Sequence, residues 1–268
     1  KQHTLLAVPS SQPPQKIELT YERMEAYRNE ILKYAANLHG VDPENPEQIH
    51  VAPYLDGDFV SVFRVTVKKG DDLVEEVYKV PRNETGRVER WRWGGPRDIA
   101  SFVRYLNQDS DPPLAWESEE ITFPVDEKEI VVIRQSFGED LMKRFKLEVG
   151  SNPPDPKAAA RVFANFIRFH DRLLRKKRVI VLDAHPWNML YEEGDQGAFA
   201  VLTDFDWAIQ LDAQGRFRRL RKNGAQVQVD FFDGGFPYRF LNFLSVLVPL
   251  IYTARNPEYK EYEQALYR

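Results

Sequence analysis

From Phe59 to Val67 the chain alternates along its length, ending in Phe63-Arg64-Val65-Thr66-Val67. A period of two belongs to a strand, because successive side chains leave the backbone on opposite faces. Such a run needs a core under one face and neighbours at its edges, so an all-helical fold is excluded. Lys69-Gly70-Asp71 then reads as a turn and Leu73 to Val80 as the next strand. His50 to Leu55 is an earlier strand, and two more are expected at Glu120 to Val125 and Glu129 to Gln135. A charged helical region covers Glu84 to Trp93 and breaks at Gly94-Gly95-Pro96. A second helix follows from Pro96 to Leu106, with proline in the permitted first turn.

Ahead of these strands, Lys1 to Gln15 is rich in proline and serine and reads as a flexible lead-in. A helix is expected from about Leu19 to Leu38, with Tyr21, Met24, Tyr27, Ile31 and Ala35 on one stripe. Gly40 stands where a left-handed helix stop is wanted. Residues 16–137 therefore form one lobe, and residues 138–268 a second that starts near Gly138. In that second lobe Asp155-Pro156 opens a helix as N-cap and first-turn proline. Val162, Phe163, Phe166, Ile167, His170, Leu173 and Leu174 recur along it at helical spacing, and Arg175 to Arg178 supplies positive charge at its end. Short strands at Met189 to Tyr191 and Phe199 to Thr203 flank a turn through Glu192-Glu193-Gly194-Asp195.

Composition removes several functions. The 268 residues include no cysteine, which excludes disulfides, Cys-ligated zinc and thiol catalysis. A net charge of −4 argues against a general nucleic-acid binder. The most apolar stretch, Phe240 to Tyr252, is interrupted by Asn242, Ser245 and Pro249. A bilayer span needs about 20 apolar residues, so this stretch reads as a buried helix and no membrane span is expected. With no secretory leader read at Lys1, the expectation is a cytoplasmic protein.

Two later segments carry chemistry. Val179-Ile-Val-Leu-Asp183-Ala-His185-Pro186-Trp187-Asn188 is followed by Val201-Leu-Thr-Asp204-Phe205-Asp206-Trp-Ala208. Asp183 and Asn188 could be turn formers, since both side chains bond their own backbone. Asp204 ends the apolar run Ala198 to Thr203, where a carboxylate is costly unless it is paired or holds a cation. Asp183-Ala-His185-Pro186-Trp187-Asn188 matches the motif His-Gly-Asp-x-His-Pro-x-Asn, and Asp204-Phe205-Asp206 matches an Asp-aromatic-acid triplet. On these motifs the chain resembles the protein-kinase-like superfamily, nearer the aminoglycoside and choline phosphotransferase branch than the main protein kinases. The resemblance covers roughly Tyr54 to Ala208.

The resemblance implies an α+β, two-lobed fold, with an antiparallel five-stranded N-terminal lobe and a mostly helical C-terminal lobe. It implies ATP and Mg²⁺ as cofactors and phosphoryl transfer to a hydroxyl-bearing acceptor. Asp183 would orient the attacking hydroxyl, while Asn188 and Asp204 would hold metal ions on the phosphates, with Asp206 able to join them. His185 reads as structural, packing under the loop. Lys79 would reach the α- and β-phosphates from the third strand, although an exposed strand lysine is the plainer reading. Asp98, or Glu89, would pair with Lys79; Asp98 could equally serve its helix dipole. The turn from Leu55 to Ser61 holds one glycine, Gly57, and would cover the phosphates with Ser61 and backbone amides. The segment Arg134 to Phe137, including Gln135, would present its main chain to adenine.

Several features depart from the family. Val181 and Leu182 stand where histidine with arginine or glycine is usual, and protein kinases have glycine at the position of Asp206. No Ala-Pro-Glu follows, which favours a small-molecule acceptor over a protein. Arg216 to Lys222 reads first as a solvated loop, and alternatively as a positive wall for an acidic substrate. Trp91, Trp93 and Trp187 could stack a ligand, but packing is the simpler role. A pseudokinase that binds nucleotide or a protein is the main alternative, and nucleotidyl transfer a third.

Overall fold

The structure, a computed structural model, describes residues 20–56, 60–81, 99–140, 156–181, 188–194, 197–205, 208–220 and 226–230. The expectations for Lys1 to Gln15, Glu84 to Trp93, Phe240 to Tyr252 and Trp187 lie outside these residues, as do Gly57, Asp98, Asp183, His185 and Asp206. The chain divides into two compact units. The first takes its described residues from Lys1–Glu89, Asp98–Ser101 and Glu117–Phe137. The second takes them from Arg90–Arg97, Phe102–Trp116 and Gly138–Arg268.

In the first unit, helix α1 spans Tyr21–His39. Thr20 caps its start by accepting the Arg23 amide through its hydroxyl at 3.2 Å. Gly40 ends it with φ 66°, a left-handed conformation that is cheap only without a Cβ. The Gly40 and Val41 amides then return to Asn37 and Ala36 carbonyls at 3.3 and 3.0 Å. Five antiparallel strands follow, namely β1 (Ile49–Asp56), β2 (Val60–Lys69), β3 (Asp72–Pro81), β4 (Glu119–Val125) and β5 (Lys128–Ser136). They lie in the order β1-β2-β3-β5-β4. The two edge strands carry Pro53 and Pro124, and an edge tolerates the missing amide. Helix α2 (Ile99–Asn107) comes between β3 and β4 in the chain, with Ile99–Ser101 counted in this unit and Phe102–Asn107 in the second.

The alternation of β2 becomes burial. Ser61, Phe63, Val65 and Val67 are buried, while Val60, Val62, Arg64 and Thr66 between them are half-buried. The buried face joins Tyr78, Val80, Ile121, Phe123 and Val132 under Tyr27, Ile31 and Ala35 of α1. Tyr21 is 81% exposed, so the helix stripe starts at the partly buried Met24 instead. The helix simply begins before it reaches the sheet.

In the second unit, helix α3 spans Pro156–Lys177. Phe169 and Leu173 are buried, one turn apart, whereas Leu174 is 45% exposed. Leu173 of the expected stripe is thus buried and Leu174 is not, while the buried Phe169 was not among its members. Three two-stranded sheets accompany α3. β6 (Val179–Val181) pairs with β9 (Ala208–Gln210), β7 (Met189–Gly194) with β8 (Gly197–Leu202), and β10 (Arg216–Leu220) with β11 (Gln226–Asp230). The described part of this unit is therefore richer in strand than the mostly helical lobe expected. Arg216–Leu220 is a hairpin strand and not a loop, because Gln226-Val-Gln-Val-Asp230 is an alternating partner for it. The whole remains an α+β architecture. Among the described residues no helix is long and apolar enough to cross a membrane.

Candidate functional site

The first unit presents one sheet face away from α1. Lys79 lies opposite Val62 of β2 and Ile133 of β5, and Gln135 lies opposite Val77. Strand periodicity therefore puts Lys79, Val77, Arg64 and Gln135 on this face. Gln135 is buried, and its side-chain amide donates to Ser118 Oγ at 2.7 Å. The Phe137 amide donates to the Glu75 carbonyl at 2.8 Å, continuing the ladder past the end of β5. The Phe137 ring meets Tyr54 edge-on at 5.7 Å, and the Arg64 guanidinium sits 4.2 Å from its centroid. Arg64 also pairs with Glu75. Three of the expected nucleotide residues, Lys79, Gln135 and Phe137, thus belong to one surface.

Ser61 does not. It is fully buried opposite Val80, on the face that α1 covers. Its place in the two-residue period fixes this, since Val62 is the neighbour that shares a face with Lys79. The structure adds Arg64 and Tyr54, which sequence reasoning missed. Arg64 could have been found as the charged residue out of phase with Phe63 and Val65 in the middle of β2.

The covered face holds a second surprise in Glu76, three residues before Lys79 and buried. It accepts from Tyr78 Oη at 2.8 Å and from Arg134 Nε at 3.1 Å, with His39 Nε2 3.2 Å away. Arg134 Nη1 also donates to Glu119 at 2.6 Å. Burial pushes the Glu76 carboxyl up, but hydrogen bonds from Arg134 and Tyr78 outweigh it and hold the pKa below the usual range. Burial, then the charge of Glu76, raises the Tyr78 phenol. The buried acid of this unit therefore pairs with Arg134 across the strands and lies on the face opposite Lys79.

In the second unit the two motif segments run between the same two ladders. β6 ends at Val181 opposite Ala208, where β9 begins. β7 begins at Met189 opposite Leu202, where β8 ends. Val181 with Ala208 and Met189 with Leu202 therefore close the ends of the two ladders that bracket the motif residues in sequence. The Thr203 amide extends the β7–β8 ladder by donating to the Asn188 carbonyl at 3.0 Å, and its hydroxyl donates to the same oxygen at 3.1 Å. Asn188 and Asp204 are both half-buried there. Phe205 is buried and meets Phe102 of α2 edge-on at 6.2 Å.

Gly138, the first residue of this unit's last segment, approaches Leu190 closely. A Cβ there would lie 2.4 Å from Leu190 Cδ1. Backbone contacts hold this segment along β7, with the Tyr191 amide donating to the Glu139 carbonyl at 3.1 Å.

The described donors of the expected metal set, Asn188 and Asp204, offer oxygen, the ligand type Mg²⁺ takes. Among the described residues there is no cluster of three or more His, Cys, Asp or Glu. Arg216, first of the basic run, is engaged locally. Its amide and Nε donate to Asp212 at 2.9 and 3.2 Å. Compared with known proteins, the chain matches no family model and no curated sequence.

Proposed function

We infer that this chain is an ATP- and Mg²⁺-dependent phosphotransferase with a two-lobed, protein-kinase-like fold, acting on the hydroxyl of a small molecule. The observation that carries the reading is the pairing of the two motif segments in the second unit. The Asn188 carbonyl accepts from Thr203, the residue before Asp204, at the open end of the β7–β8 pair, and strands leading to Asp183 and away from Asp206 pair in β6 and β9. That is the placement a shared phosphate and metal site needs from residues distant in sequence. The five-stranded sheet, with Lys79, Gln135 and Phe137 on one face, supports the same reading independently.

In this reading Asp183 accepts the proton of the attacking hydroxyl and Lys79 holds phosphate oxygens. Asn188 and Asp204, with Asp206, would hold Mg²⁺, which supplies charge neutralisation on the phosphates. Catalysis is then positioning and electrostatics, with no covalent intermediate on the protein. Gln135 and Phe137 contribute backbone groups toward the base.

The test is a thermal-shift titration with ATP, with and without Mg²⁺, joined to a measurement of ATP consumption. Stabilisation that needs both, lost in Asp204→Ala, is expected. No response to ATP under any condition would remove the enzyme. A pseudokinase is the second reading, favoured by the burial of Ser61, which leaves the turn between β1 and β2 without that hydroxyl. Stabilisation by ATP without any consumption would select it. A gain of about 80 daltons on an acceptor, against about 329, would separate phosphoryl from nucleotidyl transfer, the masses being those of the groups in such chemistry.

A further inference from the structure

We propose that Asn107, at the last position of α2, is a positioning residue for Asp204; this rests on the metal-holding role given to Asp204 above. Asn107 lies far from every motif, but its side chain is fully committed to one short segment. Oδ1 accepts from the Leu114 amide at 3.0 Å and from the Ala115 amide at 2.9 Å. Nδ2 donates to the Ala115 carbonyl at 2.8 Å. One amide group thereby satisfies three backbone groups of Leu114 and Ala115.

That segment in turn grips β8. Ala115 forms a parallel bridge with Leu202. The Leu202 amide donates to the Leu114 carbonyl at 3.1 Å, and the Trp116 amide donates to the Leu202 carbonyl at 2.8 Å. Leu114, Ala115 and Leu202 are all buried. Leu202 is therefore held on both edges, by Met189 of β7 on one and by residues 114–116 on the other. Asp204 follows two residues later, and Phe205 after it is packed against Phe102 of the same helix α2. Both flanks of Asp204 thus trace back to α2, one through Asn107 and one through Phe102.

The chemistry of the side chain explains why asparagine stands here. Only an amide offers an acceptor for two N–H groups and a donor for a carbonyl from one planar group. Aspartate keeps the acceptor and loses the donor; alanine loses both. Groups that orient a metal ligand change metal affinity by about tenfold or more when removed.

The experiment compares Asn107→Ala, Asn107→Asp and, as a control for general loosening of the unit, Leu173→Ala in α3. Half-saturating Mg²⁺ for ATP-dependent stabilisation is expected to rise about tenfold in Asn107→Ala and less in Asn107→Asp. It should remain near wild type in Leu173→Ala. Amide hydrogen exchange at residues 202–205 should quicken in the Asn107 variants beyond the control. Equal Mg²⁺ requirements in Asn107→Ala and Leu173→Ala would overturn the proposal. If Asn107→Ala fails to fold, Asn107→Asp against Leu173→Ala carries the same comparison. If wild type shows no Mg²⁺-dependent response to ATP, the enzymatic reading fails. Exchange at 202–205 then decides the positioning alone: selective quickening supports it, and parity with Leu173→Ala removes it.

Discussion

The two units hold their candidate residues by different physics. In the first, Lys79, Gln135 and Phe137 sit on the back of a sheet whose other face is a continuous apolar core under α1. Their position follows from burying Phe63, Val65, Tyr78 and Val132, and any one backbone hydrogen bond matters little. In the second, Asn188 and Asp204 sit at the ends of short two-stranded ladders. The bonds around them are few: Thr203 donates to the Asn188 carbonyl, and the Leu114 and Ala115 amides donate to Asn107. A site on a deep core tolerates single polar changes. A site strung between short ladders does not.

The sharpest break of that comparison is functional. Asp183→Asn should lower turnover by about 10²–10⁴-fold, the range for losing a general base, while ATP-induced stabilisation persists. Asp204→Ala should instead lose the Mg²⁺-dependent part of that stabilisation. Unchanged turnover in Asp183→Asn would show that the second unit's loop does not do the chemistry.

Next comes the charge inside the first unit's core. Arg134→Met would leave Glu76 buried without its main partner and should cost about 3–5 kcal/mol in chemical unfolding. The pH dependence has a definite sign. The folded pKa of Glu76 lies below its unfolded value, so the carboxylate contributes stability above the ordinary glutamate range near pH 4.3. That contribution is lost as pH falls through the depressed folded value. Glu76→Gln should flatten this acid limb, and an unaltered limb would assign it to other groups.

Gly138→Ala should cost about 1–3 kcal/mol, the usual price of overpacking, because its new Cβ meets the buried Leu190. Leu190→Ala in the same chain should recover part of that loss, and a double-mutant cycle with zero coupling would refute the contact. The smallest effect is Thr203→Val. It removes one hydroxyl bond to the Asn188 carbonyl and should cost about 0.5–1.5 kcal/mol, with the backbone bond remaining. A comparable change at Thr66, half-buried on β2, should be nearly neutral if the contrast between the units holds.

Legibility in the sequence divided along the same line. The first unit was readable because periodicity reports burial directly, and β2, β3, β4 and β5 lie within a residue or two of where alternation put them. Gly40 was readable as a stop because only glycine takes that φ cheaply. Ser61 was expected at the phosphate turn although the period of β2 already placed it on the buried face with Phe63 and Val65. Leu174 was misread because two adjacent leucines both looked apolar enough to bury, and only Leu173 is turned inward. The hairpin at Arg216–Leu220 was missed because its positive charge outweighed its alternation.

What the amino-acid order determined unaided is local: the five strands and first helix of the first unit, the helix stop at Gly40, and residue types fit for oxygen-ligand and phosphate chemistry. It does so because propensity and hydrophobic period act over a few residues. What only the tertiary structure decided is which distant segments share a hydrogen bond: Glu76 with Arg134, Leu202 with Leu114 and Trp116, and Asn107 with Leu114 and Ala115. Those partners lie up to 88 residues apart in sequence, as Leu114 and Leu202 do (202 − 114), and no local period records them. A hydrogen bond needs two groups to meet in space, and for these pairs only the folded chain brings them together.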